Sequence, residues 1–99
     1  MEKFRNPSVD RLFQTILNLQ TLEDCYAYFE DLCTIKEIKD MAQRLDTAIL
    51  LDQGVSYQKI TQQVGISTAT IGRVSRALNY GTGGYRAAIE KLNGPEESK

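Results

Sequence analysis

Apolar residues in this chain recur at intervals of three and four, the spacing of one helix face, and nowhere alternate in the two-residue rhythm of a strand. Val9, Leu12, Phe13, Ile16 and Leu17 form the first stripe. Asn6-Pro7 stands before it as an N-cap and first-turn proline, which predicts a helix to about Leu19. Leu22, Cys25, Tyr26, Phe29, Leu32 and Cys33 form the second, opened by Thr21-Leu-Glu-Asp24 with its acids in the first turn. Thr34-Ile-Lys-Glu37 is a capping box for a long third helix. Ile35, Ile38, Met41, Ala42, Leu45 and Ile49 line that helix to about Gln53, where Gly54 ends it. Two short helices follow between Ser56 and Leu78, then a glycine-rich loop and a last helix over Tyr85–Leu92. The expected architecture is all-α, about six helices, in one domain over residues 6–93. A loose arm at 1–5 and a polar tail at 94–99 flank it.

The stretch Ser56–Leu78 is the most specific part of the pattern. Ser56 can cap one helix and Ser67 the next. Between them Gly65 stands where a left-handed residue turns the chain at least cost. Counted from Tyr57, apolar residues occupy the fourth, eighth, tenth, fifteenth and eighteenth positions: Ile60, Val64, Ile66, Ile71 and Val74. That spacing resembles the helix-turn-helix, in which two helices cross steeply around such a core. Thr61, at the fifth position, stands where the motif usually has alanine. On the second helix Ile71, Val74 and Leu78 make one apolar stripe. Thr68, Thr70, Gly72, Arg73, Ser75 and Arg76 make the other face, which has no carboxylate. Short hydroxyls, a glycine and arginines suit approach to a phosphodiester backbone and to base edges.

The net charge of −1 does not point to nucleic acid, but its distribution does. Residues 1–56 carry −4, residues 57–91 carry +4, and the remainder carries −1. A positive head on an acidic body supplies local phosphate contact. The apolar share, 41%, is that of a folded globular chain. The chain opens without a secretion signal and has no apolar run long enough to span a bilayer, so a cytoplasmic protein without membrane contact is expected.

Two cysteines and no histidine narrow the chemistry. Cys25 and Cys33, read as sharing one helix, would lie about 12 Å apart along its axis, too far to bridge. Two thiols cannot supply a four-ligand zinc site, so no metal and no cofactor is expected. Without histidine, a nucleophile elbow or a metal cluster, the scattered carboxylates read as solvated helix faces, and an enzyme is not expected. Gly81-Thr-Gly-Gly84 precedes a helix but lacks the preceding strand and following Lys-Ser/Thr of a nucleotide loop, so it reads as a joint. The wide stripes of the first three helices predict a homodimer. A two-fold pair of reading helices would then address two half-sites about 34 Å apart.

From Leu12 to Leu92 the chain resembles the Trp repressor family. The resemblance is sharpest at Leu50-Leu-Asp-Gln-Gly-Val-Ser56 and Ser67-Thr-Ala-Thr-Ile-Gly-Arg73. Asn79-Tyr-Gly-Thr-Gly-Gly-Tyr85 is similar to its YerC/YecD-like subgroup. The resemblance implies an intertwined homodimer, a reading helix in the major groove of double-stranded DNA, and repression at a palindromic operator. It implies a DNA surface of Gln58 and Thr61 with Ser67, Thr68, Ala69, Thr70 and Gly72. Lys59, Arg73 and Arg76 join it as cations. The family has basic residues where this chain has Gln58 and Thr61. The tryptophan effector site of the family maps to Gln43, Arg44, Arg73 and Val74. Gln43 replaces an arginine and Val74 a glycine, so a small molecule other than tryptophan, or none, is expected there. Two rivals stand beside the regulator: a protein adaptor using the same exposed helix, and a replication-origin binder, whose usual ATPase domain is absent from this chain. Adaptor faces carry aromatic or aliphatic anchors, and Thr68–Arg76 has none.

Overall fold

The start signals in the sequence are realised as hydrogen bonds. In the computed structural model, which describes residues 4–94, Asn6 accepts from the Val9 N–H at 2.9 Å and opens α1 (Pro7–Leu17). Thr21 accepts from the Asp24 N–H at 3.0 Å and opens α2 (Leu22–Leu32). Thr34 and Glu37 form the full capping box of α3 (Ile35–Asp52). The Thr34 N–H donates to the Glu37 carboxylate at 2.8 Å, and the Glu37 N–H donates to the Thr34 hydroxyl at 3.1 Å. Ser56 caps α4 (Tyr57–Val64), and Ser67 caps α5 (Thr68–Tyr80). The last helix, α6 (Gly84–Asn93), starts from Gly83 with no side-chain cap. The described residues contain six helices and no strand, and no described helix is long and apolar enough to cross a membrane. The expected arm and tail fall largely outside the described residues.

Three boundaries differ from the periodic reading. Cys33 does not lie in α2: it is the C-cap, with extended backbone at φ −122°. The capping box that begins at Thr34 fixes the chain's direction there and cuts the apolar stripe one residue short. Helix α1 stops at Leu17 rather than near Leu19, with the Asn18 N–H closing its last turn. Helix α5 continues two residues past Leu78, so Asn79 and Tyr80 are helical and the loop shrinks to Gly81–Gly83.

Contacts divide the chain into two compact units, Met1–Ile38 and Lys39–Lys99. In the first, the Thr15 hydroxyl donates to the Leu12 carbonyl at 2.6 Å. It must therefore accept from the Tyr28 hydroxyl, also at 2.6 Å, which ties α1 to α2. Tyr28 also meets Phe29 edge-on. No residue of α1 or α2 is buried.

The second unit holds the buried core. Ala48 of α3, Val74 and Leu78 of α5 and Ile89 of α6 form one cluster, with Ile49, Leu51 and Tyr85 packed on it. Ile60 and Ile71 are completely buried and join α4 to α5. Gly54, at φ 83°, closes α3 in a Schellman turn. Its N–H donates to the Leu51 carbonyl and that of Val55 to the Leu50 carbonyl, each at 3.0 Å. Gly65, also at φ 83°, turns α4 into α5 and donates to the Thr61 carbonyl.

Candidate nucleic-acid interface

Helix α5 is divided lengthwise. Successive residues advance by about 100° around a helix, so Ala69, Gly72 and Arg76 fall within about 60° of one another, and Ile71, Val74 and Leu78 within a similar arc on the far side. The second arc is buried, at 0%, 3% and 5% exposure, against α3, α4 and α6. The first faces outward: Ala69 and Arg76 are exposed and Gly72 half-exposed. Thr68 and Arg73, both exposed, flank it. A Cβ built on Gly72 would meet no atom within 4 Å, so internal packing does not require glycine at this position.

The charge on this surface is free to act. No acidic residue lies between Asp52 and Glu90 in the sequence. Arg73 and Arg76 have no ion-pair partner among the described residues, and Lys59 is exposed on α4. Arg86, which contributes to the positive balance of this half of the chain, is engaged by Asp52 at 2.6 Å. The local field therefore comes chiefly from Lys59, Arg73 and Arg76.

The remaining expected contact residues are placed less uniformly. Gln58 is exposed on α4. Ser67 is exposed, but its hydroxyl serves the cap: it accepts from the Thr70 N–H at 3.2 Å and donates to the Thr70 hydroxyl at 3.1 Å. Thr70 is half-buried at the flank of the outward arc. Thr61 departs most from the sequence expectation. Its Oγ1 is buried and has no hydrogen-bond partner, so the hydroxyl is not on the outward surface. The residue stands at the position where the helix-turn-helix motif usually has alanine.

Beside α5 lies a cavity of about 490 Å³. All four residues expected at an effector site line it: Gln43 and Arg44 from α3, Arg73 and Val74 from α5. Gln43 donates to the Val64 carbonyl at 3.4 Å, spending part of its amide on the end of α4. Arg44, one position on, is exposed at the cavity and supplies a cation that Gln43 lacks. Val74 belongs mainly to the buried cluster. Asp40, Thr70 and Tyr85 also line the cavity, where the sequence pattern does not place them. Tyr85 had only its place after the glycine loop to mark it. The sequence pattern puts Thr70 on the outer face of α5 alone.

The family model for the Trp repressor protein matches residues 7–93. The Bacillus subtilis (strain 168) protein YerC, uncharacterised, is 48% identical over 96 residues, covering 97% of this chain and 92% of its own length. The crystal structure of a TrpR-like protein from Eubacterium eligens superposes with a TM-score of 0.90 at 44% identity, over 94% of this chain and 96% of that one. A solved Staphylococcus aureus structure gives 0.89 at 44% identity, over 93% and 92%.

Proposed function

The chain belongs to the Trp repressor family of DNA-binding regulators, and from that membership we propose that it acts as a cytoplasmic homodimeric repressor on a palindromic operator. The observation that carries this reading is the outward arc of α5: small at Ala69 and Gly72, cationic at Arg73 and Arg76, and free of carboxylates. Small residues let the helix backbone approach the floor of a major groove, and the arginines reach base edges or phosphates. On this reading Gln58, Lys59, Thr68, Ala69, Thr70, Gly72, Arg73 and Arg76 meet DNA, with Ser67 fixing the start of the helix.

The dimer is supported by what α1, α2 and the start of α3 leave uncovered. Leu17 is 73% exposed, Leu22 72% and Ile35 80%. An apolar cleft of about 420 Å³ runs beside Tyr26, Phe29 and Ile38. Such surface is more than a folded monomer normally presents to water. A second copy that covers it would complete one DNA-binding and dimerisation domain over residues 6–93 and would set two reading helices about 34 Å apart.

The cavity beside α5 is the place for a small-molecule effector. Arg44 and Arg73 suit a carboxylate or another small anion. Tryptophan is disfavoured, because the branched Val74 stands where the family keeps room for the ring, and overpacking of that kind costs about 1–3 kcal/mol. The protein-adaptor reading has one observation in its favour: Tyr80 is 87% exposed, one turn beyond Arg76 on the same side. A docking face needs a cluster of anchors, and Ala69 and Gly72 supply none. Selection from random duplex DNA decides between the two. The regulator enriches a palindrome with half-site centres about 10 base pairs apart; an adaptor enriches nothing.

A further inference from the structure

Asp52, Asn79 and Arg86 form a polar strap across the second unit. The Arg86 guanidinium meets the Asp52 carboxylate at 2.6 Å with one nitrogen, and with another donates to the Asn79 side-chain carbonyl at 2.9 Å. The Asn79 amide in turn donates to the Ser75 carbonyl at 3.0 Å and lies 3.3 Å from the Ser75 hydroxyl. One arginine thus ties the end of α3 and the start of α6 to the last turns of α5, three residues beyond Arg76.

Both charges stand at the wrong ends of their own helices. Asp52 is the last residue of α3, where the helix dipole disfavours an anion, and Arg86 is in the first turn of α6, where it disfavours a cation. Asn79 is a weak helix former inside α5. Neither charge serves its own helix, and Asn79 turns its side-chain carbonyl away from α5 to Arg86. The pair is also partly solvated, at 51% and 34% exposure, and an ion pair so placed adds little to stability. What the strap does supply is geometry, because a planar guanidinium fixes two acceptors in a set relation that a lysine cannot reproduce. Residues that break local rules together are found where function sets the arrangement.

We infer that Arg86 is a positioning residue. Through Asp52 and Asn79 it sets the angle of the reading helix against α3, and so the discrimination between operator and other DNA, without itself touching DNA. The inference rests on the DNA-reading function proposed above.

The test compares affinity for a selected operator and for an unrelated duplex, with the salt dependence of each, in the full-length protein. Arg86→Gln should lower the ratio of the two affinities about tenfold, the size of one displaced base contact. Its salt slope should equal that of the unsubstituted protein. Asp52→Asn should lose the same discrimination, and the double variant no more than either single one. Arg86→Lys, which keeps the charge, should not restore it. If Arg86→Gln fails to fold, Asn79→Ala carries the test, since it leaves the Arg86–Asp52 ion pair in place and removes the link from Arg86 to α5 together with the local bonds to Ser75. A slope shallower by about 1.8 in Arg86→Gln would make Arg86 a phosphate contact in each subunit and overturn the inference. An unchanged ratio, or full discrimination by Arg86→Lys, would overturn it equally. An unsubstituted protein that discriminates nothing would sink the DNA reading itself, and the strap with it.

Discussion

Substituting Gly72 by alanine should stabilise the protein and damage its function. Glycine inside a helix costs about 0.5–1 kcal/mol relative to alanine, because the unfolded chain loses more freedom on ordering. At Gly72 nothing offsets the gain, since the new Cβ would meet no atom within 4 Å. For a domain of this size 1 kcal/mol raises the melting temperature by about 4–8 °C, so Gly72→Ala should melt roughly 2–8 °C higher at equal protein concentration. On DNA the same methyl group stands on the outward arc between Ala69 and Arg76. It should hold the helix off the groove and weaken operator binding at least about tenfold, or 1.4 kcal/mol. Circular dichroism melting and fluorescence anisotropy on a selected duplex give the two readouts. A higher melting temperature with undiminished affinity would refute the reasoning, because the arc would then not be the surface that meets DNA. A lower melting temperature would contradict the geometry at Gly72 itself.

Thr61→Ala should raise the urea midpoint. An unpaired buried hydroxyl costs about 1–3 kcal/mol, which its removal relieves at the smaller cost of one methyl group; a loss of operator affinity on that substitution would instead put the hydroxyl on DNA. Gly81→Ala should destabilise by about 1–3 kcal/mol, because its Cβ would overlap the carbonyl of Ala77, and chemical denaturation measures the loss. The melting temperature should rise with protein concentration, as coupled folding and association require, and a melt that does not shift would count against the dimer. Titration calorimetry with L-tryptophan should show binding one to two decades weaker than the uncrowded pocket of Val74→Gly, as about 1–3 kcal/mol of overpacking implies; micromolar affinity in the unsubstituted chain would show that Val74 leaves room for the ring.

The helices were legible because their signals are local. Each cap is a short side chain reaching an N–H three residues on, and Ser56, Gly65 and Ser67 fixed the two-helix unit within a dozen residues. The outward and inward faces of α5 followed from a single period. Relations between distant positions were not legible. Asp52 and Arg86 are 34 residues apart, and nothing near either one announces the other. A charge count along the chain therefore includes Arg86 in the reading head, whereas Asp52 holds it. The orientation of Thr61 is hidden for a related reason. Helical spacing alone leaves open whether its hydroxyl faces solvent or the interior, and the folded chain buries it. In the cavity, Gln43 and Arg44 both line the wall, and sequence spacing alone does not say which of two neighbouring side chains faces it.

The salt dependence of operator binding tests the central claim most directly. Lys59, Arg73 and Arg76, each meeting one phosphate in each of two subunits, make about six contacts, which predicts a log–log slope of about −5.4. Arg76→Gln should reduce it to about −3.6, with affinity falling for all duplexes alike. A slope near zero, or one that Arg76→Gln leaves unchanged, would contradict the assignment of this surface to DNA.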